Sequence, residues 1–170
     1  DMGLTKLNNQ SLSAVTSAGL PNTLASQLPT GSVVQVVRTY SPSEVPAIAT
    51  SSTNWTASGI IASITPTKSG NLILIDMCLP MVDCATDTIN IQMYQKIANG
   101  SYAVMTGANG YQAGIQSGSR WHPNVFSGTY TATSTSQLSY QPYYKSSGGA
   151  EVRIVHDSSS YALTLTEIAV

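Results

Sequence analysis

The sequence predicts an all-β chain, an antiparallel sandwich of jelly-roll type, and three observations carry that expectation. From residue 31 onward, apolar residues recur at period two, the spacing of a strand with one buried face. Turn-forming clusters of Gly, Ser and Asn punctuate the chain about every 8–15 residues. No stretch inside 31–170 has the apolar spacing of a long helix. Together these give about eight to ten short strands, the pattern of a sandwich.

The elements follow in chain order. Residues 1–30 are polar, with Leu4, Leu7, Leu12, Val15, Leu20, Leu24 and Leu28 scattered among them. Part of that spacing fits a helical face, but Gly19-Leu20-Pro21 interrupts it. So few apolar side chains make no core alone, so residues 1–30 read as an N-terminal stem and oligomerisation segment. Leu28-Pro29-Thr30-Gly31 is its hinge, and residues 31–170 form the sandwich domain. Ser32–Thr39 is Val-rich, and Ser58–Thr65 alternates with Ile60, Ala62 and Ile64 on one face. Leu72–Leu79 reads as a central strand buried on both faces, which would bury Asp76 as a structural carboxylate. Ile89, Ile91 and Met93 alternate with Asn90, Gln92 and Tyr94, giving one buried and one wet face. Asn99-Gly100 predicts a two-residue hairpin into Tyr102–Met105. Further strands are expected near 124–133, 136–144, 151–156 and 161–169.

Composition narrows the chemistry. The chain has 170 residues, 7 Lys+Arg against 8 Asp+Glu, and only 9% charged residues where an ordinary domain has roughly 25%. Hydroxyls replace the charges, with 24 Ser and 19 Thr. No basic field is present to hold nucleic acid or an anionic membrane. The strongest apolar run, Leu72–Ile75, ends at Asp76, far short of the ~20 residues of a membrane-inserted helix. Residue 1 is Asp, and the chain reads as a piece of a longer polypeptide. Cys78 and Cys84 are too few for a disulfide scaffold; they read as two partly buried thiols kept in a reducing cytoplasm, the alternative being a pair across the five intervening residues, which Pro80 stiffens.

Catalytic signatures are missing. There is no Gly-x-Ser-x-Gly elbow and no phosphate-cradling Gly-rich loop. His122 and His156 stand apart from each other and from the cysteines, so no zinc set forms, and Asp83 and Asp87 read as solvated loop carboxylates, the alternative being one loop that holds calcium. Glu44, Glu151 and Glu167 are far apart, while glycoside hydrolysis needs two carboxyls facing across a cleft. The expectation is a non-enzyme with no cofactor and no metal. Binding chemistry fits better. Tyr111, Trp121, His122, Tyr140, Tyr143 and Tyr144 fall in a stretch rich in Gly, Ser and Asn, where flat amphipathic rings beside small polar groups suit a sugar. Of these, Tyr111, Trp121, His122, Tyr143 and Tyr144 are the candidate ligand-binding residues. Trp55 and Tyr94 read as core or subunit-contact aromatics.

Three segments carry a family resemblance: Gly31-Ser32-Val33-Val34-Gln35-Val36-Val37, the Ser63–Ile75 run, and the closing Tyr161–Ala169. They resemble a β domain of tailed-bacteriophage structural proteins, found in fibres and tail-associated proteins, notably of marine and cyanobacterial phages. The resemblance covers about residues 31–170. It implies a virion component made in the host cytoplasm and carried on the particle surface, commonly a homotrimer, with a stem leading into a compact tip. Its partners would be other copies of itself, other virion proteins and host-surface glycan. It brings no catalytic set, and the chain lacks the His-x-His pairs with which some fibre tips hold metal. The expected role is a tail fibre or receptor-binding tip; the alternative is a capsid-decorating or head-fibre protein that meets no receptor.

Overall fold

Val, Ile, Thr and Tyr fill the strand positions because branched and aromatic side chains suit a pleated, half-buried surface. The computed structural model describes residues 28–41, 46–84, 86–105, 112–115, 119–155 and 159–170, with backbone alone for 112–115 and 119–121. Every regular element among them is a strand: β1 (Val33–Tyr40), β2 (Ile48–Thr50), β3 (Thr56–Ala57), β4 (Ala62–Ile64), β5 (Leu72–Cys84), β6 (Ile89–Ile97), β7 (Ala103–Val104), β8 (Gln112–Ile115), β9 (Ser119–Thr131), β10 (Leu138–Ser146), β11 (Val152–Val155) and β12 (Ala162–Ile168). The class is all-β, as predicted. Residues 1–27 of the expected stem lie outside the described residues.

Two antiparallel sheets form the layers. In the first, β5 pairs with β9 along one edge, while β12 and then β11 share the other; β1 lies outside β12 and β2 outside β11. In the second, β10 pairs with β6 on one edge and with β4 and β3 on the other, and β7 and β8 continue beyond β6. The first and last described strands are hydrogen-bonded neighbours, and Gly31 N–H donates to the Ala169 carbonyl at 2.8 Å, so the chain enters beside its own end. Gly31 takes φ 90° there, in the left-handed region that suits glycine.

The period-two pattern decides the core. Ile73, Ile75, Met77 and Leu79 of β5 face Ile89, Ile91 and Met93 of β6 and Tyr140 and Tyr144 of β10 within one buried cluster, with Leu163 and Leu165 of β12 beside them. Gly128 of β9 gives the Phe126 ring its space, since a Cβ at 128 would stand 2.5 Å from a ring carbon. Pro80 and Pro123 fall between the Leu79–Asn124 and Val82–His122 pairs, where the ladder slips register. A proline cannot donate to the ladder, so a bulge is the place that tolerates it.

Three local expectations change. Leu72–Leu79 is central but buried on one face only: Leu72 and Leu74 are half-buried outward, and Asp76 and Cys78 are exposed. Among the described residues no layer lies over the outer face of the first sheet, so alternation with uniformly apolar residues did not mean two buried faces. Asp76 therefore is no buried carboxylate; it accepts a hydrogen bond from Ser127 Oγ at 2.6 Å across the strand pair. The hairpin joining β6 and β7 exists, but Ala98 takes the positive φ of 50°, and Gly100 N–H closes the turn on the Ile97 carbonyl at 3.0 Å. The Tyr94–Val104 and Gln95–Ala103 pairs leave a loop longer than two residues. Cys78 and Cys84 are both free thiols, one exposed and one buried. Burial pushes the Cys84 thiol above its ordinary range.

Two carboxylates fasten the ends of the sandwich. Glu167 of β12 is wholly buried and accepts from Asn71 Nδ2 (2.6 Å), Gln35 Nε2 (2.6 Å), Thr67 N–H (2.8 Å) and Thr67 Oγ1 (2.8 Å). Burial raises its pKa, and those four donors together outweigh burial and hold it below the ordinary value. Asp87 accepts from Ser146 Oγ and from the N–H groups of Thr88, Gly148 and Ala150, which draws its pKa down to about 2. Its oxygens are occupied in holding the β10–β11 turn, so the sequence reading of a solvated loop carboxylate gives way to a turn anchor.

Candidate functional site

The outer face of the second sheet carries the one continuous aromatic band among the described residues. Alternation along β6 turns Asn90, Gln92, Tyr94 and Lys96 outward, and alternation along β10 turns Tyr143 and Lys145 the same way. Tyr143 lies opposite Gln92 and Tyr94 opposite Gln141, so the two tyrosines are diagonal neighbours. Their rings stack with centroids 4.0 Å apart and planes 22° from parallel.

Two further rings come from loops. Trp55 immediately precedes β3, whose Thr56 pairs with Tyr144 and Ala57 with Tyr143. A Ser52–Asn54 turn sets it in place, Asn54 N–H donating to Ser52 Oγ at 3.0 Å. Trp55 thus reaches Tyr94 at 6.3 Å, tilted by 56°, and lies under Lys145 Nζ, 4.9 Å from the ring centroid. At the other end Tyr102, leaving the β6–β7 hairpin, meets Tyr143 at 6.1 Å and sits beneath Lys96 Nζ at 5.2 Å. The band runs Trp55, Tyr94, Tyr143, Tyr102, with an ammonium over each terminal ring. All four rings are half-buried.

The phenols are hydrogen-bonding groups here and not acids. Burial raises the pKa of Tyr94 and Tyr102, and the neighbouring Tyr143 raises both further; Ser139 partly offsets this at Tyr102. At neutral pH they remain protonated and able both to donate and to accept. Amide groups stand beside them in Gln92 and Asn90, the latter donating to Ser147 Oγ at 2.7 Å. Flat apolar rings beside fixed amides and hydroxyls offer a sugar both a stacking surface and directional partners.

The sequence candidates distribute unevenly over this geometry. Tyr143 is central to the band. Tyr144, its neighbour, points the opposite way and is 2% exposed, packed in the core, so its expected ligand contact gives way to a structural role. Tyr140 is likewise wholly buried, its hydroxyl accepting from Gln95 Nε2 at 3.0 Å, and burial lifts its pKa well above the ordinary phenol range. His122 lies on β9 opposite Val82, in the first sheet, and Tyr143 lies in the second. Trp121 precedes it on the same strand, and only its backbone is described; Tyr111 lies outside the described residues. The rings that sequence reasoning assigned elsewhere, Trp55 and Tyr94, are the ones that join Tyr143. The alternation of Tyr94 with buried Ile91 and Met93 was the available signal.

Among the described residues no acid–base constellation accompanies the band. Glu151 is exposed and pairs with Arg153 at 2.7 Å, while Glu167 is buried in its own donor network. Glu44 and His156 lie outside the described residues. Among the described residues no three His, Cys, Asp or Glu side chains gather as a metal site. A separate open pocket of ≈ 340 Å³ lies by the β6–β7 hairpin, lined by Gln95, Ile97, Ser101, Val104 and Tyr130 among others, with no carboxylate or imidazole among the described residues of its wall.

No protein-family model matches the chain, and no curated protein matches it either. Among solved structures, it is similar to a chain of infectious bursal disease virus, Gx strain, at 11% identity and a TM-score of 0.39, covering 83% of this chain and 32% of that one. The present chain therefore spans about a third of the viral chain's length. It is similar at 11% identity and a TM-score of 0.37 to the CBM22-1 xylan-binding domain from Paenibacillus barcinonensis Xyn10C, covering 83% of this chain and 96% of that domain. A chain from a marine algae virus of the order Picornavirales is similar at 9% identity and a TM-score of 0.20, covering 100% of this chain and 80% of that one. Likenesses this distant carry no functional weight.

Proposed function

We propose that this chain is a structural protein of a virion, of the tailed-phage fibre or receptor-binding kind, that contacts host-surface glycan through the aromatic band without turning it over. The stacked Tyr94–Tyr143 pair, extended by Trp55 and Tyr102 on a sheet face that also bears Gln92, Lys96 and Lys145, carries this reading. A rigid sandwich holds the rings at fixed spacing, so little ordering entropy is lost when a sugar docks. The composition supports the same role: a surface built on hydroxyls and amides keeps its contacts over a range of ionic strengths. The resemblance of residues 31–170 to phage β domains supports a virion context and a homotrimeric state. Several tips on one particle would multiply a weak single-site affinity.

The test is adsorption. The purified chain is expected to bind host cells, or polysaccharide extracted from them, and to compete with phage for attachment, releasing no sugar from that polysaccharide. Absence of both binding and competition would overturn the receptor role and leave the capsid-decorating alternative. Release of oligosaccharide would overturn contact without turnover.

A further inference from the structure

The two outer faces of the sandwich differ in kind. On the first sheet the cross-strand register sets out four outward rows: Val33, Ile168, Leu72 and Thr131; Val36, Thr166, Leu74 and Thr129; Arg38, Thr164, Asp76 and Ser127; Tyr40, Ala162, Cys78 and Val125. Val33 and Val36 are each 57% exposed, Tyr40 55% and Val125 65%. Leu72, Leu74 and Ile168 are half-buried beside them, and Cys78 is exposed. Val33, Val36, Ile168, Leu72 and Leu74 form an aliphatic patch across β1, β12 and β5, which single scattered surface hydrophobes do not, and Tyr40, Cys78 and Val125 flank it beyond the polar row of Arg38, Thr164, Asp76 and Ser127.

We infer that this face is where copies of the chain pack against one another, leaving the aromatic band of the second sheet outward.

Charge points to a second copy as the occupant. The four rows hold one cation and one anion: Arg38, stacked on Tyr40 at 5.3 Å, and Asp76, two strands away in the same row. Copies meeting here bring balanced charge to an apolar contact. The second sheet offers the opposite, since Lys96 and Lys145 stand on its outer face without a carboxylate among its outward residues, so copies meeting there would oppose like charges. The entry of the chain agrees. β1, the first described strand, forms one border of the patch, so copies packed through this face bring their first strands together.

Cys78 makes the face directly readable, because Cys84 is 1% exposed and stays silent. The full 170-residue chain is examined by light scattering after gel filtration, and by intact mass after native iodoacetamide treatment. The expected result is an oligomer in which Cys78 resists alkylation. Val36→Asp and Val125→Asp, at positions that touch no core, are expected to abolish the oligomer, keep the β-sheet circular-dichroism spectrum and expose Cys78 to full labelling. A monomeric wild-type chain overturns the inference; if its Cys78 is nonetheless protected, residues 1–27 of the same chain cover the face instead. An oligomer whose Cys78 labels freely and which survives both aspartates also overturns it. The wild-type labelling needs no variant to fold.

Discussion

Glu167→Ala is expected to lower the unfolding free energy by about 3–5 kcal/mol, since it leaves several buried donors without their acceptor. The carboxylate joins three parts of the fold: Gln35 from β1, Thr67 and Asn71 from the connection before β5, and β12 itself. Alanine strands the donors and opens a void. Glu167→Gln keeps the shape but turns an amide NH₂ toward groups that are themselves donors, so a smaller loss of about 1–3 kcal/mol is expected. Urea unfolding followed by circular dichroism measures both. The pH dependence separates charge from shape. A carboxyl held below its ordinary value of 4.5 adds stability that is present above that value and is lost as pH falls through the folded-state pKa. Wild-type stability should therefore drop on acidification below pH 4.5, and Glu167→Gln should flatten that part of the curve. Equal acid dependence in both proteins would contradict the assignment.

The neighbouring tyrosines of β10 give the second large effect, because they part stability from binding. Tyr144→Ala empties a core position that is 2% exposed and is expected to cost about 3–5 kcal/mol, as for other large aromatic truncations. Its pKa, pushed up to about 12 by burial, marks the same enclosure. Tyr143→Ala removes a half-buried ring stacked on Tyr94 from the outer face, so the sandwich persists while glycan binding falls at least about tenfold, the loss of roughly 1.4 kcal/mol of contact. Thermal unfolding and cell-binding assays on the two variants read the contrast. If Tyr143→Ala unfolds the protein, or binds as the wild type does, the band is not the contact surface.

The fold was legible wherever alternation was strict. Ile89, Ile91 and Met93 against Asn90, Gln92 and Tyr94 gave β6 with its correct buried face, and the closing strand was placed within a residue or two of Ala162–Ile168. Legibility failed where a residue's surroundings depend on the other layer. Leu72 and Leu74 look like core, yet among the described residues nothing covers their side of β5, and Asp76 followed them to the surface. Asn99-Gly100 favoured a tight hairpin, but β6 continues to Ile97 alongside β10, and the turn shifted to Ala98. The candidate site was half legible. Tyr143 and Tyr144 are adjacent letters on opposite faces, and only the register of β10 against β6 tells them apart. Trp55 and Tyr143 are 88 residues apart in sequence, and the β3–β10 pairing that unites them leaves no mark in local composition.

The most direct test maps the contact itself. With backbone and aromatic resonances of the chain assigned, host polysaccharide is titrated and the shifted signals are located on the two sheets. The account predicts shifts concentrated at Trp55, Tyr94, Tyr102 and Tyr143, with Lys96 and Lys145 at the margins and the first sheet unmoved. Binding that shifts His122 and its neighbours while leaving those four rings unchanged would contradict it.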